Sequence, residues 1–149
     1  MTTGTIMGNA FNTFLPYYFG MINPIVHTEQ NEEYKLNENQ VKTIMCIHHL
    51  ERVMPSVISQ VFNIQKGSLT TIIKSLIKLE LVYKSYDKEN QRSYYLELTE
   101  KGQVFVSYKM NKINEDFEGL FNLMPQEDAK QISIAFDLLC NYLETKREL

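Results

Sequence analysis

Apolar residues recur three or four positions apart along most of this 149-residue chain, which is the spacing of one face of an α-helix. Residues 11–27 are predicted to form a helix that Pro16 and Pro24 kink or divide, because proline has no amide hydrogen to donate. The small and polar residues 1–10 are expected to fray. Residues 28–36 are polar and acidic and are predicted to form a linker.

Three further helices are predicted between residues 37 and 79. Asn37 is suited to cap the first of them, and Gln40 stands at the reciprocal position of a capping box. The apolar face of that helix comprises Val41, Ile44, Met45 and Ile47/His48. A short second helix begins near Met54, with Pro55 in its first turn. The third carries an apolar stripe of Leu69, Ile72, Ile73, Leu76 and Leu79.

Alternation replaces helical spacing at Val82 to Tyr86 and at Tyr94 to Leu98, where β-branched and aromatic residues predict two strands. The residues between them, 87–93, are all polar and are predicted to form a long hairpin loop. Thr99 is then predicted to cap a helix that runs to about Leu123.

The last predicted helix, which follows Met124 and Pro125, carries two apolar rows. One row comprises Ile132, Ala135/Phe136, Leu139 and Leu143, and the other comprises Ile134, Leu138 and Tyr142. A surface helix of a monomer needs only one apolar stripe to pack on its core. The second row therefore predicts that a helix of another subunit covers it.

Composition is typical of a soluble protein of one globular domain, with 44% hydrophobic and 22% charged residues. No stretch approaches the roughly 20 apolar residues that span a bilayer, so no membrane association is expected. The N-terminus lacks the features of a signal peptide, which predicts a cytoplasmic location. Cys46 and Cys140 are too few for a disulfide framework. Two buried, reduced thiols are the first expectation for them, and a redox pair or a redox sensor is the alternative.

Charge is distributed unevenly along the chain. The whole chain has a net charge of −3, whereas residues 64–92 hold six basic and three acidic side chains and are net positive. Contacts with phosphates act locally because salt screens distant charges. A basic segment on an acidic body is therefore still able to bind nucleic acid.

The third helix of this segment has a polar face suited to DNA. Short hydroxyl side chains and one lysine fall largely off its apolar stripe, namely Ser68, Thr70, Thr71, Lys74 and Ser75. Side chains of this kind allow close approach to base edges and phosphates. A hairpin with a charged tip follows, and a groove-reading helix before a β-ribbon is the order of a winged helix-turn-helix.

Residues 86–102 resemble the wing of the MarR family of bacterial transcriptional regulators. They have an acidic start, a polar tip that ends in Arg92, a strand, and then the sequence Leu-Thr-Glu-Lys-Gly. The helix from Gly67 to Leu76 resembles the family's recognition helix, with Ser68 and Thr70 at its hydroxyl positions. The order of elements resembles the family over nearly the whole chain.

The resemblance implies a mainly α fold with a small β wing in a single domain, residues 1–149. Residues 37–99 would form the winged helix-turn-helix lobe, and residues 1–36 and 100–149 would supply dimerisation helices. An obligate homodimer would then place its two lobes on a pseudo-palindromic operator in double-stranded DNA. The expected function is that of a DNA-binding transcriptional regulator, with repression as the expected sign of regulation.

The resemblance also implies which residues contact DNA. The expected major-groove contacts are Gly67, Ser68, Thr70, Thr71, Lys74 and Ser75. The expected phosphate contacts are Ser56, Lys66 and Lys88, and Gln91 accompanies them at the wing tip. Arg92 is expected in the minor groove, where narrow A·T tracts concentrate negative potential.

Four positions depart from the family pattern. Thr71 stands where an arginine is frequent, and Asn90 replaces the second wing aspartate, so it cannot form an ion pair with Arg92. Residues 58–59 are Ile-Ser in place of Leu-Ala, and Glu80 replaces a glycine before the wing. These changes are expected to alter the operator sequence and the rigidity of the wing while leaving the architecture intact.

Aromatic residues near the N-terminus are candidates for binding a ligand. The resemblance implies a small aromatic or other small-molecule effector between the dimerisation helices and the lobe. Its candidate contacts are Phe14, Tyr17, Tyr18 and His48, for which aromatic core packing is the alternative. No cofactor is expected, and no Cys/His cluster has the spacing of a metal site.

Two other classes of function were compared with DNA binding. The sequence has no phosphate-cradling glycine loop and no nucleophile elbow, so catalysis is not expected. The alternative to a DNA-binding regulator is a winged-helix adaptor that binds other proteins and has lost DNA binding, which the acidic body would suit. Salt-dependent binding to duplex DNA distinguishes the two.

Overall fold

A computed structural model describes residues 1–27 and 33–146, which form two compact units, residues 1–113 and 114–149. The described elements, in chain order, are α1 (Thr3–Tyr17), a π-helical turn (Tyr18–Ile22), α2 (Asn23–Val26), α3 (Glu38–Leu50), α4 (Pro55–Phe62), α5 (Lys66–Lys78), β1 (Val82–Tyr86), β2 (Tyr94–Leu98), α6 (Glu100–Phe121) and α7 (Gln126–Glu144). The predicted fold class, mainly α with one small antiparallel sheet, is confirmed.

The N-terminal helix begins earlier than the sequence pattern predicted. The expectation that residues 1–10 fray was wrong, because α1 starts at Thr3. The Thr2 side chain caps it, with the Thr5 amide donating to the Thr2 hydroxyl oxygen over 3.2 Å. The predicted division is confirmed, since the helix passes through Pro16 and then widens into a π-helical turn before α2. Most of the predicted linker, residues 28–32, lies outside the described residues.

The hydrophobic core of the first unit lies beneath α3, α4, α5 and the hairpin. Its fully buried side chains include Ile44, Ile47, Ile58, Leu76, Leu81, Val82, Leu96 and Val106. The predicted stripe of α5 is buried apart from Leu79, which is half-buried. On α3 the core face is rotated relative to the prediction: Thr43 and Cys46 are buried with Ile44 and Ile47, and His48 is exposed.

The start of α3 is fixed as the sequence predicted. The Gln40 amide donates to Asn37 Oδ1 over 2.9 Å, and the Asn37 amide donates to Gln40 Oε1 over 2.8 Å. This capping box satisfies two amides that would otherwise lack partners at the helix start. Gln40 is itself buried and also donates from Nε2 to the Ser75 hydroxyl over 2.9 Å, so the same residue joins α3 to α5.

The turn between α4 and α5 depends on one of the residues that depart from the family pattern. Asn63 ends α4 in the left-handed conformation, with φ of 51°, which asparagine tolerates better than most residues. The Ser59 hydroxyl donates to the Ile64 carbonyl over 2.7 Å, and the Ile64 amide donates to the Ser59 carbonyl over 3.1 Å. Ser59 therefore fixes the turn that sets the angle of α5.

The end of α5 is a Schellman motif that leads directly into β1. The Leu81 amide donates to the Leu76 carbonyl, and the Glu80 amide donates to the Ile77 carbonyl. Glu80 takes the left-handed position of the motif, with φ of 60°. Its backbone carbonyl then accepts a 2.5 Å hydrogen bond from the Thr99 hydroxyl.

Thr99 and Gly102 connect the wing to α6. The Gly102 amide donates to the Thr99 hydroxyl oxygen over 2.9 Å, which confirms the predicted cap. Gly102 packs so closely on the backbone before β1 that an added Cβ would lie 2.0 Å from the Leu81 carbonyl oxygen. Only glycine allows α6 to approach β1 this closely.

The hairpin has the predicted strands, paired antiparallel from Val82 with Leu98 to Tyr86 with Tyr94. Val53, just after α3, forms an isolated bridge with Leu96 on the other edge of β2. One face of the hairpin carries Val82, Leu96 and Leu98 into the core. The alternate residues, among them Tyr83, Ser85 and Tyr95, belong to the outer face.

The second unit contains α7, none of whose residues is buried in the single chain. Large apolar side chains on it are exposed, among them Ile134 (66%) and Leu138 (71%). The expectation of two buried thiols is confirmed for Cys46 and wrong for Cys140, which lies on α7 and is exposed. No described helix combines the length and the hydropathy needed to cross a membrane.

Candidate nucleic-acid interface

The exposed face of α5 carries most of the predicted DNA contacts. Five of the side chains predicted to contact DNA are exposed on it, together with Gly67: Lys66, Ser68, Thr70, Thr71 and Lys74. The buried stripe on the other side packs on α3 and α4 and holds this face outward. An added Cβ at Gly67 would meet no atom within 4 Å, so the backbone there is open to close approach by a ligand.

Two threonine hydroxyls on this face are oriented by the helix itself. Thr70 Oγ1 donates to the Lys66 carbonyl over 2.9 Å, and Thr71 Oγ1 donates to the Gly67 carbonyl over 3.3 Å. Because each hydroxyl hydrogen is directed at the backbone, the oxygen remains available as an acceptor. The two threonines therefore offer acceptor oxygens and methyl groups, which suit an exocyclic amine and a thymine methyl in the major groove.

Ser75 has a different environment from the residues predicted with it. It is half-buried, and its hydroxyl accepts the hydrogen bond from Gln40 Nε2. Its side chain joins α5 to α3, and Ser75 is therefore left out of the proposed DNA interface.

The wing tip holds the other predicted contacts. Lys88, Gln91 and Arg92 are all exposed in the loop between the strands. Asn90, which replaces an aspartate of the family pattern, accepts a 3.1 Å hydrogen bond from the Arg92 amide through Oδ1. Asn90 therefore shapes the backbone at Arg92 without an ion pair. The guanidinium of Arg92 has no described protein partner.

Ser56 lies in the first turn of α4 and is exposed. Amides at the start of a helix have no intrahelical acceptor and favour anions. Ser56 therefore has a setting that fits the predicted phosphate contact.

An open depression of about 570 Å³ separates the start of α3 from the face of α5. Its lining comprises Asn37, Glu38, Asn39, Lys42, Ser68, Thr71 and Ile72. Lys42 Nζ lies 2.5 Å from Glu38 Oε1, and this hydrogen bond and the lysine charge lower the pKa of Glu38. The carboxylate therefore stays ionised beside Ser68 and Thr71. The sequence pattern did not predict that the start of α3 lies beside the polar face of α5.

Arg52 is a residue of this region that the sequence pattern did not single out. It follows α3, and its guanidinium lies 3.0 Å from Asp87 Oδ1, at the beginning of the wing loop. No local motif marks Arg52, because its partners are more than 30 positions away in the chain.

The four candidate effector contacts are in different environments. Phe14 and Tyr18 are half-buried, and their ring centroids lie 6.1 Å apart. Tyr17 is 61% exposed. His48 is exposed near the end of α3. The structure thus brings Phe14 and Tyr18 into ring contact and leaves the side chains of Tyr17 and His48 open to solvent.

Comparison with known proteins gives a family match over part of the chain. Residues 36–94 match the model of the MarR family, a range that contains α3, α4, α5, β1 and the loop after it. A search among curated proteins found no match.

Solved structures share the fold over nearly the full chain. The transcriptional regulator Tm0710 from Thermotoga maritima is 17% identical, with a TM-score of 0.70 over 93% of this chain and 96% of its own. FabT from Streptococcus pneumoniae, solved in complex with DNA, is 19% identical, with a TM-score of 0.67 over 93% of this chain and 99% of its own. A MarR transcriptional regulator from Methanosarcina mazei Go1 is 22% identical, with a TM-score of 0.65 over 97% and 94%.

The chain thus combines the sequence match over residues 36–94 with a helix-turn-helix and wing in the matching order. On these grounds the chain has the winged helix-turn-helix fold of these solved structures, and its residues 36–94 are similar to the MarR family.

Proposed function

We propose that this protein is a homodimeric transcriptional regulator that binds a pseudo-palindromic operator and represses transcription. The observation that carries the proposal is the exposure of the α5 polar face and of Arg92 on one lobe, above a single core. The likeness to FabT, which was solved with DNA, supports this use of the fold. Acting on DNA, it would work in the cytoplasm.

Different segments of the chain have different roles in this proposal. Residues 37–99 bind DNA, and residues 1–36 and 100–149 supply helices for dimerisation. The exposed apolar residues of α7 support this, since a single chain leaves Leu138 71% exposed. Exposed apolar patches of this kind are typical of protein interfaces. Two lobes held together also bind two half-sites with higher affinity than either lobe alone.

In the proposed complex, α5 enters the major groove. Gly67, Ser68, Thr70, Thr71 and Lys74 face the bases there, and Lys66, Ser56 and Lys88 contact phosphates. Arg92, accompanied by Gln91, enters the minor groove, where its guanidinium suits a narrow A·T tract. The acceptor oxygens of Thr70 and Thr71 would favour bases with exocyclic amines, and their methyl groups would favour thymine.

Release by a small molecule is a further part of the proposal. An aromatic acid such as salicylate would bind near Phe14, Tyr17, Tyr18 and His48 and favour a spacing of the lobes that does not fit the operator. The loss of DNA affinity would equal the ligand's differential affinity for the two spacings. Unchanged operator affinity at millimolar salicylate would contradict this effector class.

Selection of bound duplexes from a random pool with the purified protein tests the central proposal. We expect a two-fold related sequence, and an affinity that falls steeply as salt rises because phosphate contacts release counterions. Arg92→Ala should lower affinity and flatten the salt dependence. Recovery of no preferred duplex would contradict the proposal.

Thr71→Val separates the two kinds of contact expected at Thr71. Valine keeps the shape and a methyl group but removes the acceptor oxygen. A base preference that depends on the oxygen should change in Thr71→Val and in Thr71→Ala alike. A preference that depends on the methyl group should change only in Thr71→Ala.

The second candidate function is a protein-interaction adaptor without DNA binding. The net charge of −3 and the exposed apolar side chains of α7 favour it. Such an adaptor would show no binding to duplex DNA at any salt concentration, whereas the regulator binds at low salt.

A further inference from the structure

Arg52 is held next to the wing by its backbone. The Arg52 amide donates to the Leu50 carbonyl over 2.6 Å across a tight turn at Glu51, whose φ is 62°. The next residue, Val53, exchanges two backbone hydrogen bonds with Leu96 of β2, with lengths of 3.2 and 2.8 Å. These bonds fix the Arg52 backbone at the edge of β2.

From that edge the Arg52 side chain extends over the outer face of the hairpin. Its Cζ lies 3.9 Å from the centroid of the Tyr95 ring, and its Nε lies 3.7 Å from Glu97 Oε2 on the same strand. It then reaches β1, where Nε donates to the Ser85 hydroxyl over 3.4 Å. Because Ser85 pairs with Tyr95, these contacts connect both strands across one register position.

The last contact is at the beginning of the wing loop. Arg52 Nη2 donates to Asp87 Oδ1 over 3.0 Å, and Asp87 is the first residue after β1. Arg92 lies near the other end of the same loop, which closes at β2. A guanidinium that binds the start of the loop and both strands restricts the directions that the loop can take.

We infer that Arg52 is a positioning residue for DNA binding: it holds the wing loop through Asp87 so that Arg92 is presented to the minor groove. This inference rests on the proposed function. The role suits arginine, because its planar fork bonds several groups at once and stacks on an aromatic ring, which a lysine ammonium does less well. A single exposed ion pair contributes little, but four contacts from one side chain form a network.

Duplex affinity tests the inference in the full-length protein, by fluorescence anisotropy over a range of salt concentrations. Arg52→Gln should weaken binding by about fivefold, since coupled neighbours lose interaction energy together. Arg92→Ala should reduce the salt slope by about 1. In the Arg92→Ala background, adding Arg52→Gln should leave the salt slope unchanged, because Arg52 does not itself neutralise a phosphate. A further reduction by about 1 in the double variant would overturn the positioning role.

Asp87→Asn changes DNA affinity in opposite directions according to whether Asp87 anchors the wing loop or only repels DNA. If Asp87 anchors the loop to Arg52, its loss weakens DNA binding even though a negative charge near phosphates is removed. If Asp87 only repels DNA, the variant binds more tightly, and the inference is overturned.

Combining Arg52→Gln with Arg92→Ala should reduce DNA affinity by less than the sum of the two single effects on the binding free energy, because Arg92 loses its placement in the first variant. Full additivity would count against the inference.

Trypsin cleavage after Lys88 and Arg92, followed by mass spectrometry, reports the wing loop without DNA. Arg52→Gln should speed cleavage at both sites, and Arg52→Lys should restore protection only in part. Lys101→Gln is the matched control, because it removes an exposed 3.3 Å ion pair with Glu80 away from the loop. Unaltered cleavage in Arg52→Gln would overturn the inference. If the wild-type protein binds no duplex, the proposed function is overturned. If the wild type and Arg52→Gln bind a duplex equally tightly, only the role of Arg52 is overturned.

Discussion

At the scale of single residues, Glu80 occupies a backbone conformation that suits glycine. Its φ of 60° completes the Schellman motif at the end of α5, and a side chain there costs roughly 1–2 kcal/mol. Glu80→Gly should therefore raise the free energy of unfolding by about 1 kcal/mol, after part of the gain is lost to the more flexible unfolded chain. Urea denaturation of the purified protein measures this.

Glu80→Ala is the control for that substitution. Alanine keeps the strained φ and removes the exposed ion pair with Lys101, whose contribution to stability is small. It should therefore be no more stable than the wild type. If alanine stabilised the protein as much as glycine does, the backbone explanation would be wrong.

Gly102 illustrates the opposite constraint, because the space beside it is occupied. Gly102→Ala would place a methyl group 2.0 Å from the Leu81 carbonyl oxygen, so α6 and β1 would have to move apart. We expect a loss of about 3 kcal/mol in the free energy of unfolding. Gly119→Ala in the same helix has open space around the new methyl group and should stabilise slightly. Similar effects of the two substitutions would contradict this account.

Gly67 separates stability from binding. The site is open in the free protein, so Gly67→Ala should raise the free energy of unfolding by about 0.5 kcal/mol through helix propensity. In the proposed complex the same methyl group meets DNA and should weaken binding. Thermal unfolding and duplex affinity, measured on one preparation, should therefore move in opposite senses. If Gly67→Ala gains stability and keeps full DNA affinity, the DNA does not approach α5 closely at Gly67.

At the scale of elements, the sequence predicted those features that depend on neighbours in the chain. The Asn37 capping box, the two strands and the Thr99 cap are local, so short-range patterns were enough to place them. The buried stripe of α5 followed from helical spacing. The start of α1 was missed because a threonine cap at position 2 outweighed the polar composition.

Features that join distant segments could not be read from those patterns. Arg52 meets the wing, and Gln40 meets Ser75, across more than 30 positions, and neither contact has a local signature. Ser75 was therefore predicted to face DNA when the helix directs it toward α3. Ser59 departs from the family pattern, yet its bond to Ile64 gives that departure a structural role.

At the scale of the whole molecule, the apolar rows of α7 carry the prediction of a dimer. Leu138→Glu places a charge on the exposed apolar row and should shift the protein from dimer to monomer, because an ionised carboxylate buried in a helical interface is costly. Sedimentation at micromolar protein measures the change. Ser133→Glu is the control, since helical spacing puts Ser133 on the polar side of α7.

The same substitution links assembly to DNA binding. If two lobes must bind together, Leu138→Glu should lose most of its operator affinity while each chain keeps its fold, as followed by circular dichroism. Tight operator binding by a monomeric Leu138→Glu protein would contradict the need for a symmetric pair.

The two thiols of this chain differ sharply in accessibility, which gives a way to follow exchange of subunits. Cys46 is 8% exposed in the core, whereas Cys140 is exposed on the same side of α7 as Ser133 and Asp137. A maleimide dye should therefore attach to one position in each chain without any engineered cysteine. Once donor-labelled and acceptor-labelled preparations are mixed, energy transfer would then report how fast the proposed dimers exchange subunits.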